Sequence, residues 1–162
     1  MARYDDEFAE FFAARFDRTR RMAYALCANW SEAEELAQNG FVRLYSHWPR
    51  VVHQNPEAYL RTTVIRLFLD GRRRQRKREH LVAEPPDTPL HHDQAYDDRQ
   101  PLIAAMQQLP PRQRAVLVLR IVQDMSVEQV AEAMRCAPGT VKSQMARGLA
   151  TLRAAYLNVG GV

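Results

Sequence analysis

The stretch from Ser126 to Leu152 leaves a folding chain few choices, because it carries two helix starts separated by one short break. Ser126 precedes an apolar-periodic run and Gln129 follows three residues on, so hydroxyl and amide can satisfy the orphan backbone donors of a helix start as a capping box. Val127, Val130, Ala131 and Met134 recur at helical spacing. Arg135-Cys136-Ala137 interrupts, and Pro138 stands at a favoured first helical position. The second helix has Val141, Met145, Leu149 and Leu152 as its apolar stripe, leaving Thr140, Lys142, Ser143, Gln144 and Arg147 on other faces. Two short helices around a tight turn, the second polar and basic at its start, match what a duplex groove requires.

Composition sets the class around this motif. A hydrophobic share of 46% with only six glycines, and β-branched runs too short to alternate, predict an all-α protein. A chain of 162 residues divides best into two small helical domains joined by a flexible linker, at residues 1–80, 81–100 and 101–158. The formal charge of +4 conceals an asymmetry. Residues 1–80 hold 15 Lys/Arg against 11 Asp/Glu, residues 101–162 hold 7 against 3, and residues 81–100 hold 1 against 5. Two basic modules flanking an acidic strip imply one polyanion touched at two places.

The N-terminal half reads as three helices. Phe8, Phe11, Phe12, Phe16, Met22 and Leu26 mark the first. Ser31 with Glu34 forms a second capping-box candidate, followed by Leu36, Ala37, Gly40, Phe41, Leu44, Tyr45 and Trp48 before Pro49 stops the helix. Gly40, costly inside a helix, predicts close approach of a neighbour. Asn55-Pro56 opens the third, in which Tyr59, Leu60, Val64, Leu67 and Phe68 face inward. That helix runs into Arg72-Arg-Arg-Gln-Arg-Lys-Arg78, six cations in seven residues, a run suited to a phosphate backbone. Tyr59, Phe68 and Trp48 beside it are either core residues or stacking platforms for unpaired bases.

The segment from His80 to Gln100, with Pro85, Pro86 and Pro89, lacks periodicity and reads as linker. His91, His92, Asp93 and Asp97 within it lack a held geometry, so no metal is expected. Cys27 and Cys136 have no zinc spacing and read as reduced thiols of a cytoplasmic protein. No signal core or membrane-length segment is present in the sequence. No catalytic constellation or cofactor motif emerges: there is no phosphate-binding loop, no HExxH, and adjacent Glu34 and Glu35 do not converge on one metal.

Taken in order, these residues resemble the extracytoplasmic-function sigma factors of bacterial RNA polymerase, in particular the actinobacterial branch. The carriers are Ala33 to Trp48, Asn55-Pro-Glu-Ala-Tyr-Leu-Arg61, the basic end at Arg72, Leu109-Pro-Pro-Arg-Gln-Arg114, and Gly139-Thr-Val-Lys-Ser143 with Arg147. The resemblance implies sigma domain 2 followed by sigma domain 4, the latter holding the helix-turn-helix. It implies that Glu34, Glu35, Leu36, Gln38, Asn39, Phe41, Arg43 and Leu44 bind the clamp of the polymerase largest subunit. Contacts to the start-proximal (−10) promoter element would come from His53, Gln54, Asn55, Arg61, Thr62, Ile65, Arg66, Arg72, Arg73 and Arg74, with a base extruded at an energetic cost that the pocket offsets. Contacts to the upstream (−35) duplex would come from Arg120, Thr140, Lys142, Ser143, Gln144 and Arg147. The flap of the second-largest subunit and an anti-sigma factor complete the implied partners.

Three positions depart from the family pattern. Arg66 stands where Asn is common and offers a phosphate contact instead. Gln144 stands where Arg is frequent and exchanges a charged donor for an amide able to pair with adenine. Glu34-Glu35 with Gln38-Asn39 replaces a more acidic set. The competing reading is a freestanding helix-turn-helix regulator that binds duplex DNA without polymerase.

Overall fold

The computed structural model of the chain describes residues 2–81 and 100–159. The predicted linker between them, with its histidine and aspartate candidates, lies outside the described residues. Eight α-helices follow one another: α1 (Ala2–Cys27), α2 (Trp30–Ser46), α3 (Trp48–Val51), α4 (Pro56–Leu81), α5 (Gln100–Met106), α6 (Pro111–Leu117), α7 (Val127–Met134) and α8 (Pro138–Val159). Between α6 and α7 the chain widens into a π-helical turn at Val118–Val122. Among the described residues there is no strand, as the all-α reading expects.

Helices α1, α2 and α4 form the N-terminal unit. Their shared core includes Met22, Leu26, Phe41, Leu44, Leu60, Val64, Ile65 and Phe68, all at most 2% exposed. The aromatic face of α1 closes it from one side: Phe8 meets Trp48 edge-on at 5.3 Å, and Phe12 meets Phe41 at 4.8 Å. Such tilted and edge-on pairs put a positive ring edge on a negative ring face. Gly40 works as its position predicts. A Cβ there would lie 2.7 Å from Val64 Cγ2, so the missing side chain is what lets α2 lie against α4.

Two details of the N-terminal half differ from the sequence reading. Helix α2 is capped by Asn29, whose side chain accepts from the Glu32 backbone N–H at 3.0 Å. Ser31 falls inside the first turn, so the expected Ser31–Glu34 box is not the cap; Asn29 is placed earlier because Ala28 turns the chain with φ of 56°. Pro49 does not simply end a helix. It occupies the start of one-turn α3, where its missing N–H is no loss. Asn55 caps α4 as expected, accepting from Ala58 N–H at 3.0 Å.

The C-terminal unit wraps α5, α6 and α7 around α8. Ser126 and Gln129 form the reciprocal capping box that the sequence predicts. Arg135 ends α7 in the left-handed region with φ of 56°, a conformation a non-glycine residue adopts only when its surroundings hold it. The buried edge of α8 differs from the expected stripe: Leu149 is 42% exposed, while Gly148 packs inward, where a Cβ would meet Leu117 Cδ1 at 3.2 Å. A helix that approaches α6 this closely needs a glycine on its contact line, which turns Leu149 outward.

Arg114 joins the two units. Its guanidinium is buried among carbonyls: Nε donates to Met106 O at 3.0 Å, Nη1 to Leu26 O at 2.6 Å, and Nη2 to Leu109 O at 3.0 Å and Gln107 O at 3.4 Å. It also lies 5.6 Å from the Phe68 ring centroid. Burial lowers its pKa to about 10, which leaves it cationic at neutral pH.

Gly40→Ala gains helix propensity of up to ~1 kcal/mol but overfills the α2–α4 contact, where β-branched Val64 cannot rotate away. The expected net loss is about 1–2 kcal/mol, read by denaturant melts and largely cancelled in the Gly40→Ala, Val64→Ala double variant. Burial and nearby Glu32 push the Cys27 thiol up to about 12, so at pH 8 an alkylating reagent should modify half-buried Cys136 and spare Cys27 until the protein is unfolded.

Candidate nucleic-acid and polymerase interfaces

The outer face of α8 follows from the burial of its inner one. Val141 and Gly148 are buried, which fixes the rotation of the helix. Thr140, Ser143 and Arg147 then fall on one outward line, with Lys142 beside them, and all four are exposed. Gln144 sits at the margin, half-buried, with its Oε1 atom buried and without a partner. Arg120 has a local role: it lies in the π-helical turn and its guanidinium donates to the Met125 carbonyl, bracing the segment that leads into α7. Arg112 does the same from the start of α6, donating to Met134 O at 3.3 Å. Both arginines thus hold the helix-turn-helix in shape from outside it.

The second surface belongs to α4, which stays helical for 26 residues and carries the whole basic run. Helical phase spreads these cations around the axis. Arg73 and Arg74 are exposed, while Arg72 is half-buried, pairs with Glu32 at 3.3 Å and lies 5.1 Å from the Phe68 ring centroid. Nearer the start of α4, Arg61 pairs with Glu57 at 3.5 Å. Glu57 also takes Arg15 and Arg18, so one carboxylate gathers three guanidiniums. His53, Gln54 and Asn55 are exposed in the loop before α4.

Not every α4 candidate reaches the surface. Ile65 is 0% exposed; it backs the wall formed by Arg61, Thr62 and Arg66 and cannot itself touch a strand. Phe68 and Trp48, offered as stacking platforms, are core residues at 1% and 2% exposure. Tyr59 remains half-buried, edge-on to His47 at 5.8 Å.

The third surface is the outer face of α2. Glu34, Glu35, Gln38, Asn39 and Arg43 are exposed and Leu36 is half-buried at the edge. Phe41 and Leu44 are in the core, so they support this face from beneath. Val42 and Tyr45, absent from the sequence-based set, are 67% and 49% exposed. The signal for them was present: Glu35, Gln38, Asn39 and Val42 follow i, i+3, i+4, i+7 spacing, opposite the buried line Ala33, Ala37, Leu44. Tyr45 donates to Asp5 at 2.6 Å, and that carboxylate raises the phenol pKa.

Comparison with known proteins agrees with these surfaces at both ends of the chain. The profile of Sigma-70 region 2 matches residues 11–78 and that of Sigma-70, region 4 matches residues 99–152. The RNA polymerase sigma-E factor of Streptomyces coelicolor is 33% identical over 149 residues, covering 91% of this chain and 84% of that protein. The chain belongs to the sigma-70 family of RNA polymerase sigma factors. Within it, the ECF RNA polymerase sigma factor SigE of Mycolicibacterium smegmatis is 34% identical, over 85% of this chain and 56% of that protein, and the ECF factor SigW of Bacillus subtilis is 26% identical, over 91% and 88%. This is the extracytoplasmic-function branch, of actinobacterial type. The fold is that of the sigma factor RpoE solved with the anti-sigma factor NepR from Bartonella quintana, at a TM-score of 0.75 and 24% identity, over 92% of this chain and 96% of that one.

In this sigma factor the capping box of α7 sets the angle at which the helix-turn-helix is entered. Ser126→Ala removes the acceptor of the Gln129 N–H bond, 3.1 Å long, and should lower stability by ~1 kcal/mol; hydrogen exchange should show the loss first in α7.

Proposed function

We propose that this sigma factor directs bacterial RNA polymerase core to specific promoters and assists promoter opening, acting by binding and without catalytic chemistry or a cofactor of its own. The observation that carries the reading is that α8 and α4 each expose a basic face while burying the opposite one, in two units of one chain. Residues 1–80 act as the unit for core polymerase and the −10 element, residues 101–158 as the unit for the −35 duplex, and residues 81–100 as the linker between them.

For the duplex, Thr140, Ser143 and Arg147 approach base edges from the start of α8, with Lys142 on a phosphate. Gln144 contributes by an amide rather than a charge, and Arg120 by bracing the motif. For the −10 strand, Asn55, Arg61, Thr62 and Arg66 form the wall, the exposed loop residues His53 and Gln54 lead into it, and Arg73 and Arg74 hold the backbone beyond it. On the polymerase side Glu34, Glu35, Gln38, Asn39 and Arg43 meet the clamp, joined by Val42. The flap meets the other unit, and an anti-sigma factor is a further partner. Among the described residues no helix is long and apolar enough to cross a membrane, and the site of action we assign is the cytoplasm.

The direct test is transcription from a pool of genomic promoter fragments by core polymerase with and without the purified sigma factor. Initiation from a shared two-block sequence only when both are present is expected; tight binding of a palindrome without polymerase would favour a freestanding regulator. Lys142→Ala with Arg147→Ala should weaken use of the upstream block and flatten the salt dependence by about 0.9 in log–log slope for each phosphate no longer neutralised. Arg73→Ala with Arg74→Ala should impair opening, and a premelted template should restore it.

A further inference from the structure

The wall of α4 assigned above to the −10 strand does not face open solvent. Asn55, Arg61, Thr62 and Arg66 line one side of a cleft of about 740 Å³, and Gln129, Glu132 and Arg135 of α7 line the other. A space of this size is that of a small-ligand site; a duplex, or a strand carried by polymerase, needs the second wall to withdraw. The cleft is not closed by its own chemistry. Arg66 Nε is buried without a partner, and burial and then the charge of Arg135 lower the Arg66 pKa, with Asp70 opposing. Two guanidiniums from different units thus repel across the gap.

What holds the units together lies behind the cleft. Arg114 of α6 donates to Leu26 O at the end of α1, and Gln100 Nε2 donates to the Tyr24 hydroxyl at 2.8 Å. The carbonyl end of α1 carries partial negative charge that suits a cation. Arg114 also fastens its own unit, through Met106 O, Gln107 O and Leu109 O, so one side chain both completes the C-terminal unit and reaches across to the N-terminal one.

We propose that the free sigma factor is self-closed: α7 covers the −10-reading wall of α4, Arg114 latches the closure through the Leu26 carbonyl, and strand binding requires the units to part. The inference rests on the reading of that wall as the −10 reader. Closure costs the factor DNA affinity when polymerase is absent, since a ligand sees only the open fraction of the population. Repulsion between Arg66 and Arg135 keeps the closed form from becoming permanent.

The test uses the full-length protein with Cys136→Ser and spin labels at exposed Ala14→Cys and Ala154→Cys. Electron–electron distance measurement should give one narrow distribution for the free protein and a broad, longer one with core polymerase. Arg114→Gln should broaden it without polymerase. Because that variant removes buried hydrogen bonds, Glu132→Arg is the second one: it is exposed, leaves the core intact and adds a cation facing Arg66, so it should also open the pair. A broad distribution in the free parent protein, or a narrow one unchanged in both variants, overturns the latch. Binding of a fluorescent random-sequence single strand supplies the other arm. Arg114→Gln should bind about tenfold more tightly than the parent, the factor set by a population about nine-tenths closed. Electrostatics alone would give the reverse, since a cation has been removed. Adding Arg66→Ala should cancel the gain. Opening by distance without any gain in strand affinity would overturn the covering of a DNA wall and with it the assignment of that wall, while leaving the helix-turn-helix assignment untouched.

Discussion

A guanidinium buried away from water is stable only if its five N–H donors find acceptors, and Arg114 finds them in the carbonyls that two helices leave over at their ends. Helix α1 supplies Leu26 O, and the end of α5 with the loop after it supplies Met106 O, Gln107 O and Leu109 O. The arrangement solves two problems at once. Terminal carbonyls of helices have no partner within the helix, and a cation in a low-dielectric site needs partial negative charge around it. Lysine, with a compact ammonium, would not span the same set. The placement of α6, the approach of the two units and the orientation of the cleft in front of them all follow from this one side chain.

The surfaces that carry function are what remains after packing. Helix α8 presents Thr140, Ser143 and Arg147 because Val141 and Gly148 face α6 and its neighbours. Helix α2 presents Glu35, Gln38, Asn39 and Val42 because Phe41 and Leu44 point into the aromatic core under α1. In α4 the same logic divides the basic run: Arg72 is drawn in by Glu32 and the Phe68 ring, while Arg73 and Arg74 stay in solvent. Charge counted along a sequence therefore overstates the charge available to a phosphate backbone.

Where sequence reading succeeded, the deciding physics was local. The Ser126–Gln129 box, the break at Arg135-Cys136-Ala137, the Asn55 cap and the tight approach at Gly40 each depend on a few neighbouring residues. Where it went astray, a choice between near-equivalent local options was made by something distant. Asn29 caps α2 in place of Ser31 because of the turn at Ala28. Leu149 yields its inward place to Gly148 because only a glycine allows α8 to lie so near Leu117. Phe41, Leu44 and Ile65, named as contacts with partners, are core residues lying directly beneath the faces they were meant to form.

The sequence by itself determined the all-α class, the two helical units, the helix-turn-helix and its family, since periodicity, caps and motif order are carried by residues close together in the chain. The tertiary structure alone decided which cations are free, which aromatic rings are core, and that Arg114 reaches the Leu26 carbonyl while α7 faces the wall of α4. Those are contacts between residues far apart in sequence, and no local pattern encodes which terminal carbonyl a buried guanidinium will meet.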